Sequence, residues 1–267
     1  MEKIDKNMGE ILGEIGCRFR GIIESHIKDY RLQKGNDVEW LLEPLDLISH
    51  PSDLALDTFR CGFGRDWAYE LYFHYTNAKS FYQPYNLAPD SPILAIINDG
   101  SIIVYDDIDM PESNPYDKSM LIQDKLDIWS GHAIPSVWDD VMVPFTELGI
   151  WQAQLLHRAL TFMPKGWHGN YLNHWYVFSQ DDMQRIFDKY SSYKSVDHEM
   201  LESYLGRDDI LPSVNIDGDK AVVTYCIWTR WGGLCRLTVP VERHNQSVIF
   251  GESERQTLVK YHCGWVY

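Results

Sequence analysis

The residues best suited to chemistry in this chain lie in Trp167-His168-Gly169-Asn170-Tyr171, followed closely by His174. An indole and a phenol can stack on a flat or sugar-like ligand, while His168 and Asn170 offer hydrogen bonds. His174 and His157 are further imidazoles that could join them. The same residues also suit packing, with the aromatics locking the loop into the core and His168 satisfying a backbone carbonyl.

A second group is acidic. Asp106, Asp107, Asp109 and Glu112 crowd one short stretch. It lacks the glycine and terminal glutamate spacing of an EF-hand loop, so it reads as a solvated loop that could face a partner, and no metal is expected there. Ten histidines are present, yet H-E-x-x-H, H-x-H and C-x-x-C are all missing, so no zinc site is indicated. Glu70 and His74 point the same way if Trp67–Thr76 is a strand, and Glu147 lies on the polar side of a helix. A carboxylate and an imidazole could exchange protons if they met in a cleft, but the spacing does not bring them together. G-x-S-x-G is absent, and Gly62-x-Gly64 and Gly232-Gly233 lack the strand–loop–helix context of a phosphate cradle. No catalytic residue and no cofactor is assigned.

Charge narrows the partners. The 267 residues include 39 acidic and 24 basic side chains, for a formal net charge of −15. Such a chain is a poor ligand for phosphate backbones, so nucleic acid is disfavoured. It suits a basic protein, whose approach the field would steer. Five cysteines, an odd count without close pairs, are expected to be reduced thiols. The start, Met1-Glu2-Lys3-Ile4-Asp5-Lys6, carries no apolar h-region, and no run of about 18 apolar residues predicts a membrane span. A cytoplasmic protein is expected.

The elements that must position these groups follow from periodicity. Residues 4–33 read as one long helix, with Met8, Leu12, Ile15, Phe19 and Ile22 on a stripe wide enough for docking on a domain. Gly9, Gly13 and Gly16 fall near one side, where they permit close backbone approach or fray the first turns, and Gly35 is the expected stop. Residues 36–65 predict only short elements. Trp67–Thr76 alternates as a half-buried strand, and Ile93–Ile97 with Ile102–Tyr105 flank the hairpin signal Asn98-Asp99-Gly100-Ser101.

Residues 144–163 predict a helix with Pro144 in its first turn and Phe145, Leu148, Leu155, Leu156 and Ala159 on its core face. Gln152 interrupts that face, and Glu147, Gln154 and Arg158 lie opposite. A strand over 173–178, a helix over 180–190 capped by Ser179, and a helix over 195–205 capped by Ser195 come next. The remainder predicts a meander: 214–216, 221–229, 236–241, 248–250 and 257–266, the last with Thr257, Val259 and Tyr261 on one face. A two-residue turn at Gly232-Gly233 would pair Cys226 with Val239 and put Cys226 and Cys235 on one face. They would then be about 13 Å apart, too far for a disulfide.

The expected fold is α+β, with a long N-terminal helix and a mainly antiparallel C-terminal sheet carrying packed helices. Residues 1–35 form the docked helix and 36–267 the α+β domain, with any seam falling in the aperiodic stretch 106–119. Two functions are carried forward: an acidic, non-catalytic binding protein that neutralises or sequesters a basic partner, as an immunity protein does, and a hydrolase or carbohydrate-like small-ligand binder using the 167–171 loop.

Overall fold

The computed structural model describes residues 6–29, 42–50, 52, 54–63, 66–75, 93–98, 101–106, 138, 141–162 and 175–261. Within these, side chains are described for 6–22, 42–50, 52, 138, 141–159 and 175–261. The class is α+β, as the sequence predicts.

Two hairpins come from the middle of the chain. Strands β1 (Leu54–Phe63) and β2 (Asp66–Tyr75) pair antiparallel over their full length, Leu54 with Tyr75 through Phe63 with Asp66. The long β1 corrects the expectation of short elements over 36–65. Strands β3 (Ile93–Asn98) and β4 (Ser101–Asp106) pair as their turn signal predicts.

The C-terminal part is a six-stranded antiparallel sheet built on two long strands, β7 (Lys220–Thr229) and β8 (Gly233–His244). Each is flanked by two short strands placed end to end. Outside β7 lie β5 (Trp175–Val177) and β6 (Ser213–Asp217). Outside β8 lie β9 (Ser247–Phe250) and β10 (Glu254–Val259).

The β7–β8 register differs from expectation. Thr229 pairs with Gly233, Ile227 with Cys235, and Cys226 with Arg236. The connection is the three residues 230–232, and Gly233 takes φ 76, which a side chain would resist. An added Cβ on Gly233 would also lie 2.0 Å from the Val259 carbonyl oxygen. The slip is odd, so it moves one strand's side chains to the other face. Cys226 and Cys235 therefore lie on opposite faces, both as free thiols. Val222, Cys226 and Trp228 share one face, while Leu237, Val239 and Val241 belong to the other. A second irregularity lies in β10, where a bulge between Thr257 and Val259 pairs them with the successive residues Cys235 and Leu234. That places Thr257 and Val259 on opposite faces, against the alternation expected for a straight strand.

One face of the sheet carries Val214, Ala221, Val223, Tyr225, Ile227, Cys235, Leu237 and Val239, all in the larger core cluster. It is covered by α2 (Glu147–Phe162) and α1 (Met8–Asp29), which pack on each other and both reach β6. Helix α1 starts four residues later than predicted because Asn7 caps it. The Glu10 N–H donates to Asn7 Oδ1 (2.9 Å) and the Asn7 N–H to Glu10 Oε2 (3.0 Å), a reciprocal capping box. Its expected continuation to residue 33 and stop at Gly35 lie outside the described residues. Helix α2 starts at Glu147, with Pro144 outside it, because Thr146 Oγ1 accepts from the Gly149 N–H (3.1 Å).

Helix α2 is not amphipathic in the way predicted: Ile150, Trp151, Gln152, Ala153, Gln154, Leu155 and Leu156 are all buried. It packs against the sheet and the elements β2, β3 and α1, so that among its described side chains only Glu147, Leu148, His157 and Arg158, near its ends, are less than fully buried. Gln152 is buried because its amide holds the 42–48 turn, accepting from the Leu47 N–H and donating to Asp46 Oδ1, both at 2.8 Å. Gln154, expected on the polar side, donates instead to the Tyr225 hydroxyl at 3.3 Å.

Among the described residues the other face is covered only at one end. There α3 (Gln180–Tyr190) and α4 (His198–Glu202) pack Met183, Ile186, Tyr190 and Leu201 against Val177, Cys226, Trp228 and Leu234. Ser179 caps α3 as predicted. The cap of α4 is Asp197, which accepts from the Met200 N–H at 3.0 Å, so Ser195 does not serve.

Candidate functional site

Trp167, His168, Asn170, Tyr171 and His174 lie outside the described residues, as do Asp107, Asp109 and Glu112. Asp106 ends β4 opposite Ile93. Glu70 and His74 stand four residues apart on β2, opposite Phe59 and Ala55. His157 is half-buried and stacks on Phe250 at 4.4 Å between ring centres, with Trp138 at 6.0 Å. Glu147 is half-buried in the first turn of α2.

Among the described residues, one dense polar cluster is a group that periodicity did not single out. It joins α1 to the start of α3. Asp182 is 4% exposed. Its Oδ1 lies 2.8 Å from Arg20 Nη2, and its Oδ2 accepts from the Phe178 N–H (3.0 Å) and the Ser179 hydroxyl (3.2 Å). Arg20 also donates to the Tyr176 carbonyl at 3.1 Å and lies over the Phe178 ring. Cys17 Sγ is 3.9 Å from Asp182 Oδ2.

A thiol, a hydroxyl and a carboxylate this close resemble nucleophile chemistry, but the electrostatics oppose it. Burial first, and the Asp182 charge second, push the Cys17 thiol upward, away from the thiolate form. Both Asp182 oxygens are already engaged, and Arg20 is bound to the carboxylate it would need to leave. The cluster is a clamp. The sequence signal for it was present in Ser179-x-x-Asp182, a capping pattern, but the partner on α1 is 162 positions away.

The clamp sits where two backbones approach closely. A Cβ on Gly13 would fall 2.0 Å from the Phe178 carbonyl oxygen, and one on Gly16 2.8 Å from the Phe178 ring. These glycines serve close packing. Trp151 adds a buried bond, its Nε1 donating to the Leu12 carbonyl at 2.7 Å.

A second polar group marks the border between the covered and open parts of the sheet. Arg207 grips Asp209 through Nε (2.7 Å) and Nη2 (2.6 Å), and Arg236 Nη2 reaches Asp209 Oδ2 (2.9 Å). Hydrogen bonding from Arg207 holds the Asp209 carboxyl below its ordinary value against the opposing effect of burial, and Arg236 adds a smaller pull in the same downward direction. Under the cover, Trp228, Tyr190 and Tyr261 pack ring on ring at 4.7–5.3 Å, and burial pushes the neighbouring Cys226 thiol up to about 11.

Beyond this border the same face is exposed. Val222 is 38% and Ile249 49% accessible, with Pro240 between them exposed as well. Glu242 pairs across the strands with both Lys220 and Ile249, and Pro240 with Val222, so these side chains form one continuous surface.

Among the described residues no group of three or more His, Cys, Asp or Glu is placed to hold a metal ion, and no helix is long and apolar enough to cross a membrane. No protein-family model, curated protein or solved structure matches the chain.

Proposed function

We propose that the protein is an acidic, non-catalytic binding protein of the cytoplasm whose partner is a basic protein, held or neutralised in the manner of an immunity protein. The observation that carries this reading is the distribution of charge. Residues 180–219 hold ten acidic and four basic side chains. Arg185 and Arg207 of those four already lie within ion-pair distance of acids of the same segment, leaving Asp181, Asp197, Glu199 and Asp208 without a cation among the described residues. Such an excess steers a basic protein inward and repels nucleic acid. The odd cysteine count accords with a reducing compartment.

Affinity capture from the source cells, run at low and high salt, tests the reading. A basic protein retained at low salt and released at high salt is expected. Recovery of no basic protein at either salt overturns it.

A second reading keeps the 167–171 loop as a small-ligand site. It is favoured by Trp175, a half-buried aromatic directly after His174 with Lys189 Nζ 4.2 Å above its ring. A thermal-shift screen with sugars and nucleotides, repeated on Trp167→Ala, checks this. The expected result is a shift in the wild type that the substitution removes, and no shift in the wild type ends the reading.

A further inference from the structure

We propose that the open half of the sheet face around Val222, Pro240 and Ile249 is the docking surface for the basic partner, and that the partner presents aliphatic or aromatic side chains ringed by lysine or arginine. This rests on the reading of the protein as an acidic binding protein and deepens it by assigning the surface.

Three observations carry the assignment. The first is exposure. Val222 and Ile249 lie 38% and 49% open on a face whose other half is fully covered. An apolar surface of this kind is what an interface core requires. The second is charge. Three described bases beside the open half are already held by an acid: Lys220 by Glu242 (3.2 Å), Arg243 by Asp219 (2.8 Å) and Arg236 by Asp209 (2.9 Å), while Arg255, next to Glu254, is turned to the other face, where it donates to Cys235 Sγ and Thr229 Oγ1. The acids are not matched in return. Asp217, opposite Lys220, and Glu254, opposite Thr238, have no cation partner among the described residues. The rim therefore presents net negative charge around an apolar centre, which a basic rim around an apolar anchor complements. A second copy would bring the same uncompensated carboxylates against these and be repelled.

The third observation is size. Five residues along β7 and four strand positions across give a backbone grid of roughly 14 Å by 14 Å. That is well under the roughly 800 Å² per partner of a standard interface. A partner seated here must reach over the rim, so Asp217 and Glu254 fall inside its footprint.

The test uses two defined cationic probes on the full-length, isotope-labelled protein: an amphipathic peptide of lysine and leucine, and an oligolysine of equal charge. Amide shifts are mapped at low salt and affinities measured for wild type and for Val222→Ser/Ile249→Ser. Both positions are exposed, so the double variant is expected to fold. The Lys/Leu peptide should shift amides of 215–224, 238–242 and 249, and should bind the variant about tenfold more weakly, while oligolysine binds both proteins equally. If the peptide binds but maps elsewhere, or ignores the substitutions, the surface assignment is overturned and the acidic-binder reading stands. If neither probe binds at low salt, both are overturned. Sedimentation showing a dimer that the double variant disperses makes a second copy the occupant and also overturns the assignment.

Discussion

Val222 and Trp228 project from one face of one strand, six residues apart, into opposite surroundings. Val222 is 38% accessible; Trp228 is 1% accessible beneath Tyr190 and Tyr261. The difference lies in what crosses the strand. At the Trp228 end β7 is buried on both faces, by α2 on one side and by α3 with α4 on the other. At the Val222 end burial alternates residue by residue, the pattern of a sheet with one wet face. One strand thus holds a sealed end that supplies stability and an end left open to water.

The largest test of this contrast is a pair of truncations. Trp228→Ala should cost about 4 kcal/mol, since it empties a stacked aromatic cluster. Val222→Ala should cost under about 0.5 kcal/mol, as a surface change does. Urea unfolding of both variants checks this. Equal costs would break the contrast, because Val222 would then be packed as Trp228 is. The Trp228 indole N–H sharpens it further, since it is buried with no hydrogen-bond partner among the described residues. Its value to the fold is therefore in its rings.

Next in size is the fastening of α1. Gly13→Ala places a methyl 2.0 Å from the Phe178 carbonyl oxygen, a backbone atom that cannot swing aside. Relief requires α1 to move off the Ser179 junction, loosening the Arg20–Asp182 clamp with it. A loss of about 3 kcal/mol is expected, at the upper end of overpacking costs. Gly21→Ala, where nothing lies within 4 Å of the added atom, is the control and should stabilise or be neutral. Thermal melts of the two variants decide whether glycine acts here through contact or through helix propensity. Similar behaviour of the two would remove the close-approach explanation.

The sheet's existence was legible in the sequence where turn chemistry was explicit. Asp217-Gly218 set the β6–β7 hairpin, and Ser179 with Asp181 and Asp182 set the start of α3. Faces were harder. The Gly232-Gly233 pair invited a two-residue turn, but only Gly233 has positive φ, and the chain closes at Thr229. A shift of three then exchanged the partners of Cys226 and Cys235. Periodicity misread the middle of α2: Glu147 and Arg158 keep the part-exposed side it assigned them, but packing against several elements closes over the positions between. Gln154 looked solvent-facing by type and is buried on Tyr225. The clamp escaped because Arg20 and Asp182 become neighbours only when α1 docks. The charge excess was plain from composition, yet which acids lack cations depends on the pairings of Lys220, Arg236 and Arg243.

The smallest effect probes the border itself. Asp209 ties the cover to the sheet through Arg236, and Arg207 first, then Arg236, keep its carboxyl ionised below the usual range. A depressed carboxyl stabilises the fold above its unfolded value, about pH 3.9, and that stabilisation is lost as pH falls through the folded value. Asp209 is well exposed, so solvent screening limits the effect to about 0.5 kcal/mol. Asp209→Asn should therefore be slightly less stable than wild type at neutral pH, with the gap closing in acid. Amide exchange adds the location. Protection at Ile210 and Leu211, where the cover meets the sheet, should fall in the variant while Val223 and Val239 keep theirs. If the inner strands loosened equally, Asp209 would belong to the global fold, and the line between sealed and open halves would not run through it.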